Sequence, residues 1–78
     1  MLPDETHVVM MGDFNIDLLE TSTVSTLHNY TQLINDSTTR NATLLDHIYI
    51  KNLPPQYDYG IIETYYGYHD AIFYSFTI

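Results

Sequence analysis

The sequence contains no cysteine, and only two of its 78 residues, Arg40 and Lys51, are lysine or arginine. Without cysteine the chain can have no disulfide, no thiolate nucleophile and no cysteine-ligated zinc or iron–sulfur site. Ten acidic residues leave a net charge of -8. This is the wrong sign for holding a phosphate backbone, where lysine and arginine supply most of the affinity. Composition alone therefore argues against nucleic-acid binding, although bound divalent cations can offset part of the negative charge.

Long apolar runs are also missing. No stretch approaches the ~20 apolar residues needed to span a bilayer. The opening residues 1–5 lack the basic start of a signal peptide. We therefore predict an intracellular protein, cytoplasmic or nuclear, that has no membrane partner.

The sequence has enough apolar material for a folded core. Hydrophobic residues make up 45% of the chain and include eight tyrosines and three phenylalanines, which excludes a disordered composition. A chain of this length buries only about 60% of its unfolded surface, so its stability is marginal. We predict one domain over residues 1–78, and its size also fits a portion of a larger domain.

Hydrophobic periodicity predicts an α/β fold with about four strands and one main helix. Residues 7–12 are apolar on both faces, which is typical of a central strand covered on two sides. Val24, Leu27 and Ile34 fall at helical spacing and predict a helix over 22–34. The remaining segments are predicted as a loop over 35–41, a strand over 43–50, a loop over 51–56, a strand over 57–65, a turn over 65–68 and a last strand over 71–78.

Asp46 lies on an apolar strand face. Alternation along 43–50 places it on the same side as Leu44, Ile48 and Ile50. An unpaired buried charge costs several kcal/mol, so this carboxylate must be paired, hydrogen-bonded or protonated. His47 points to the opposite face and receives no catalytic role.

Three motifs in chain order carry a family resemblance. They are Gly12-Asp13-Phe14-Asn15, the segment Leu44-Leu45-Asp46-His47-Ile48, and the closing segment Gly67-Tyr68-His69-Asp70. Together they resemble the endonuclease/exonuclease/phosphatase superfamily, especially the endonuclease domains linked to reverse transcriptases of non-LTR retrotransposons. The resemblance implies that the chain is the C-terminal half of an α/β sandwich in a domain roughly two to three times longer.

The same resemblance implies Mg²⁺-dependent hydrolysis of phosphodiester bonds in DNA, with site residues Asp13, Asn15, Asp46 and His69. Asp13 would position or deprotonate the attacking water, and Asn15 would bind a phosphate oxygen. Asp46 would orient His69, which would either stabilise developing negative charge as an imidazolium or transfer a proton. The two predicted properties of this group are that Asp46 and His69 lie side by side, and that all four residues converge at one end of the sheet.

Two departures from the family pattern predict that the chain is not active alone. The family's glutamate metal ligand lies in the N-terminal half, so the primary metal site is incomplete and Asp13 would contribute only weakly. Tyr68 stands where the closing motif has an aspartate, and Asp70 cannot replace it because adjacent strand residues face opposite ways. The partner would be a missing N-terminal half or another chain.

Alternatives remain at several positions. Asp13 and Asn15 could form an ordinary Asx turn, and Asp46 with His69 could be a purely structural pair. Arg40 could bind a phosphate. A solvated arginine, or an ion pair with one of the ten acidic residues, is the preferred interpretation because acids are so numerous in this chain. The whole chain could instead be a non-catalytic remnant or interaction subunit that pairs exposed sheet faces with another chain.

Overall fold

The computed structural model describes residues 6–20, 29–64 and 67–77, which form two small antiparallel sheets. The strands are β1 (Val8–Asp13), β2 (Thr31–Gln32), β3 (Asp46–Lys51), β4 (Tyr57–Ile62) and β5 (Ala71–Phe76). The first sheet has the order β1-β3-β2, and β4 pairs with β5 as a hairpin. Among the described residues there is no helix, and hence none long and apolar enough to cross a membrane.

The four predicted strands are each present, with ends shifted by a few residues, but the predicted α/β sandwich with a main helix is not observed in the described ranges. Most of the predicted helix over 22–34 lies outside the described residues. Its last part is wrong, because Thr31–Gln32 is the short strand β2. The Gln32 side chain explains the extended backbone: its Oε1 accepts the amides of Ile34 (2.8 Å) and Ile48 (3.2 Å), which fastens the segment to β3.

Within the part of the chain that the structure describes, β1 is an edge strand, which corrects the prediction of a central strand covered on both faces. It pairs with β3 on one side, and β3 occupies the centre of the described sheet. Met10 and Met11 are 38% and 44% exposed. An apolar run shows only that a strand avoids polar residues, so exposed apolar side chains on an edge strand produce the same sequence pattern.

The core lies between the two sheets. Strand β3 is buried along almost its whole length, and Ile48 and Ile50 are at most 1% exposed. Buried residues of this core are Leu33, Ile34, Leu44, Ile48 and Ile50, with Val9, Leu18, Ile61, Ile72 and Tyr74 packed against them. The face of β3 that carries Ile48 and Ile50 also carries Asp46. The predicted position of Asp46 on an apolar face is therefore confirmed.

Candidate functional site

The strand register places two carboxylates opposite each other. Asp13 at the end of β1 is the cross-strand partner of Asp46 at the start of β3, so both side chains project from the same face. The Asp46 residue is only 8% exposed, whereas the Asp13 side chain is about half exposed. Like charges in this arrangement repel, and burial adds a cost for Asp46. The site therefore requires a cation or a proton.

His69 meets that requirement. Its Nδ1 lies 2.7 Å from Asp46 Oδ2, and its Nε2 lies 3.6 Å from Asp13 Oδ2. The first is a hydrogen bond in which Nδ1–H donates, and the second is a charge contact longer than a hydrogen bond. One ligand atom from each of the three residues lies within 4.8 Å of the others. The predicted contact between Asp46 and His69 is confirmed, and Asp13 joins them at the same end of the sheet.

The backbone around His69 is held from both sides by one loop. The Arg40 amide donates to Tyr68 O (3.1 Å), and the Asp70 amide donates to Thr38 O (2.7 Å). The fully buried Thr38 hydroxyl also accepts the Asp46 amide at 3.1 Å. Thr38 therefore fixes both members of the Asp46–His69 pair relative to each other. A threonine in a polar loop carries no sequence signal for such a role.

Asn15 approaches the cluster through its backbone. Its amide donates to Asp13 Oδ1 (2.8 Å), so the Asx turn left open by the sequence is present. Asn15 has φ of 56°, which asparagine tolerates better than most residues. Gly12 has φ of 148°, a conformation that favours glycine and sets the direction in which Asp13 leaves the strand. The role of the Asn15 side chain in binding phosphate stays a prediction.

Two residues that the sequence assigned no role build the loop that carries Asp13. Asp17 Oδ1 accepts the amides of Leu19 (3.1 Å) and Leu44 (2.8 Å), tying the loop to the segment before β3. His47 is fully buried on the face opposite Asp46, and its ring stacks on Phe14 with centroids 5.1 Å apart. The contacts of Asp17 and His47 are structural. In the sequence, the only signal for them is a histidine in the middle of an apolar strand, which indicates a buried His47.

The hydrogen bonds of His47 define its tautomer. Its Nε2 lies 2.9 Å from both Ile16 O and Leu44 O, so Nε2 carries the proton and donates. Its Nδ1 then accepts from the Tyr49 hydroxyl at 3.0 Å. Both ring nitrogens are engaged by groups inside the fold, so the contacts of His47 are structural.

Among the described residues of the closing motif, Tyr68 and Asp70 add no carboxylate to the cluster of Asp13, Asp46 and His69. The Asp70 carboxylate accepts the Thr64 amide (3.1 Å) and is not part of the three-residue cluster. The Tyr68 side chain is largely exposed, and its hydroxyl accepts a hydrogen bond from Asn41 Nδ2 at 2.8 Å. Neither residue replaces the carboxylate that the family pattern has beside its histidine.

The surroundings raise the pKa of His69 above its ordinary value of 6.5. The main cause is the hydrogen bond to Asp46, opposed by desolvation and reinforced by the negative charges of Asp46 and Asp13. The ring of His69 therefore stays protonated to a higher pH than that of a free histidine. As an imidazolium, His69 donates from Nδ1 to Asp46 and directs a second N–H toward the exposed side of the cluster.

We expect Asp46→Asn to lower the pKa of His69 toward 6.5, because the principal hydrogen bond to the charged ring is weakened. In the unmodified chain, the raised pKa stabilises the fold fully below pH about 6.5, and this contribution is lost as the pH rises through the folded-state pKa. The measurement is a titration of the His69 Cε1–H signal by NMR. Asp58→Asn, an exposed acid on β4, is the control, and equal pKa values in the wild type and Asp46→Asn would contradict the assignment.

Comparison with known proteins provides no relative from which a role could be transferred to these residues. No protein-family model, no curated protein and no solved structure matches the chain.

Proposed function

We propose that the chain carries part of the site of a Mg²⁺-dependent endonuclease or phosphodiesterase acting on DNA, and that it does not hydrolyse phosphodiesters alone. The observation that carries this proposal is the contact of His69 with both Asp46 and Asp13, three residues that come from separate motifs. The resemblance of those motifs to the endonuclease/exonuclease/phosphatase superfamily supplies the reaction type. Each residue then has a chemical role that its contacts permit.

His69 would act on the phosphoryl group. Asp46 engages Nδ1, so Nε2 is the ring nitrogen left toward the exposed side of the cluster. A phosphoryl transition state spreads negative charge over its oxygens, and an imidazolium N–H at that position would stabilise this charge or transfer a proton. Asp46 is a positioning residue, because it acts through His69 by holding one tautomer and favouring the charged ring.

Asp13 would act on the attacking water. Its carboxylate is half exposed, and one oxygen is held by the Asn15 amide, which orients the group before substrate arrives. Asn15, in the turn that follows, would donate from its side-chain amide to a phosphate oxygen. These two roles rest on the motif resemblance, and the turn geometry is compatible with them.

The donor set fits Mg²⁺ only in part. Mg²⁺ prefers near-octahedral oxygen ligands and is often held by one or two carboxylates and several waters. Asp13 offers such a carboxylate, whereas Asp46 is engaged by His69, and an imidazole nitrogen is not a preferred Mg²⁺ ligand. A bound Mg²⁺ would supply Lewis-acid stabilisation of phosphoryl charge. The described residues alone should hold it weakly, which is why we propose a partner segment.

A titration with diethyl phosphate in the presence of Mg²⁺ tests this proposal. We expect a saturable shift of the His69 ring signal at a pH below 6.5, because the raised pKa keeps the ring protonated there and the diester anion then meets a charged ring. Asp46→Asn should weaken the binding by reducing the fraction of charged His69, and Asp58→Asn should not. A His69 signal that does not move, or one that moves no more than the signal of His7, contradicts the proposal.

A second candidate is a non-catalytic interaction subunit. It is favoured by exposed apolar side chains on β1 and on the hairpin, namely Met10, Met11, Tyr57, Tyr59, Ile62, Phe73 and Phe76. Exposed patches of this kind mark interaction surfaces when they are contiguous. The same diethyl phosphate titration separates the two candidates, because an interaction subunit has no reason to bind a small diester at His69.

A further inference from the structure

Tyr68 presents an aromatic ring beside the cluster. The ring centroid lies 5.2 Å from that of His69, with the planes inclined by 61°, and 46% of the residue is exposed. In an extended chain neighbouring residues face opposite ways, yet these two rings meet edge to face. About half of the tyrosine surface is therefore exposed next to the His69 ring.

The position of this ring is set at two points. The Tyr68 hydroxyl accepts from Asn41 Nδ2 (2.8 Å), and the Tyr68 carbonyl accepts the Arg40 amide (3.1 Å). Both contacts come from one loop, which also forms an antiparallel bridge with His69 through Thr39. An aromatic side chain that is anchored before ligand arrives loses little conformational entropy on binding. Solvent-exposed tyrosines without such anchors lack this advantage.

We propose that Tyr68 is a stacking platform for a nucleobase, so that the site prefers a diester attached to an unpaired base over a bare phosphodiester. This inference rests on the proposed function and names its substrate class. Stacking does not depend on positive charge, so it can supply affinity in a chain whose net charge of -8 opposes phosphate binding. In a duplex both faces of a base are covered by its neighbours. The preferred ligand is therefore single-stranded or carries a base turned out of the helix.

The test compares the dinucleotide TpT with diethyl phosphate, in Mg²⁺, with the His69 Cε1–H signal as readout for both. Loss of base–aromatic stacking costs a factor of roughly 5 to 160 in affinity. We expect TpT to bind more tightly than diethyl phosphate by a factor in this range. Tyr68→Phe, which keeps the ring and loses the hydroxyl contact, should retain most of the preference. Tyr68→Leu should abolish the preference, so that TpT and diethyl phosphate bind this variant about equally.

Tyr57→Leu is the matched control, because Tyr57 is also an exposed tyrosine and the register places it at the hairpin end away from His69. An unchanged signal of the buried His47 shows that each variant is folded. Equal affinities of the two ligands, or a preference that survives Tyr68→Leu, overturn the stacking role and leave the proposed phosphodiester site standing. If neither ligand moves the His69 signal, the proposed function fails and the inference fails with it.

Discussion

Ile48→Ala should lower the free energy of unfolding by about 2–5 kcal/mol, the usual cost of truncating a fully buried aliphatic side chain to alanine. Ile48 is 0% exposed and belongs to the core between the two sheets. Domains typically have only about 5–15 kcal/mol of stability in total, and short chains lie near the bottom of that range. The variant should therefore be largely or wholly unfolded under mild conditions.

Urea denaturation followed by circular dichroism measures this change. Ile62→Ala is the matched control, since it is the same substitution on a strand, but at a side chain that is 55% exposed. Surface changes of this kind usually stay within about 0.5 kcal/mol. Similar losses in the two variants would show that Ile48 does not lie in the folding core.

His69→Ala should reduce DNA nicking about 10²–10⁴-fold, the usual range for loss of a general acid or base, once the chain is joined to a segment that carries the family's glutamate ligand. The unmodified 78-residue chain should show no EDTA-sensitive nicking with Mg²⁺. Under the proposed function, Tyr68→Asp alone should not restore it, because the described residues together with one added carboxylate still offer Mg²⁺ few clustered oxygen ligands. The added segment together with Tyr68→Asp should do more than either alone.

The measurement is conversion of supercoiled plasmid to the nicked form with Mg²⁺ and with EDTA. His7→Ala is the control for histidine loss, because His7 contacts Tyr74 and Phe76 on the hairpin and takes no part in the cluster. Robust EDTA-sensitive nicking by the unmodified chain that disappears in His69→Ala would mean that the 78 residues already contain sufficient catalytic groups.

The strands and the contact between Asp46 and His69 were predictable. Strands follow from the local alternation of apolar residues, and the contact follows from the need of a buried carboxylate for a partner. Alternation along 43–50 located the apolar face of β3 and indicated that the Asp46 carboxylate needed a donor. The motif resemblance pointed to His69 as that donor, and its Nδ1 lies 2.7 Å from the carboxylate. The edge position of β1 was not predictable, since strand order depends on contacts between distant segments. The extended segment at Gln32 was also missed, because one side chain bonded to β3 overrides the helical spacing of its neighbours.

In the candidate site, the sequence predicted that Asp46 and His69 would meet, but not which residues hold them in place. Thr38 binds the Asp46 amide through its hydroxyl, and its carbonyl accepts the Asp70 amide. Nothing in its neighbouring residues marks it as different from the other threonines of that loop. These hydrogen bonds of Thr38 form only after folding brings two loops together. Periodicity and motif spacing therefore do not predict them.

Because Asp13 pairs with Asp46 across the two strands, the cluster forms only when β1 and β3 are in the correct register. Side chains alternate between faces, so a slip of one residue between β1 and β3 would bring Gly12 opposite Asp46 and turn Asp13 to the other side of the sheet. His69 would then lose one of its two acidic neighbours while the core residues of β3 stayed in place. The titration of a single histidine would therefore distinguish the correctly aligned sheet from a shifted one.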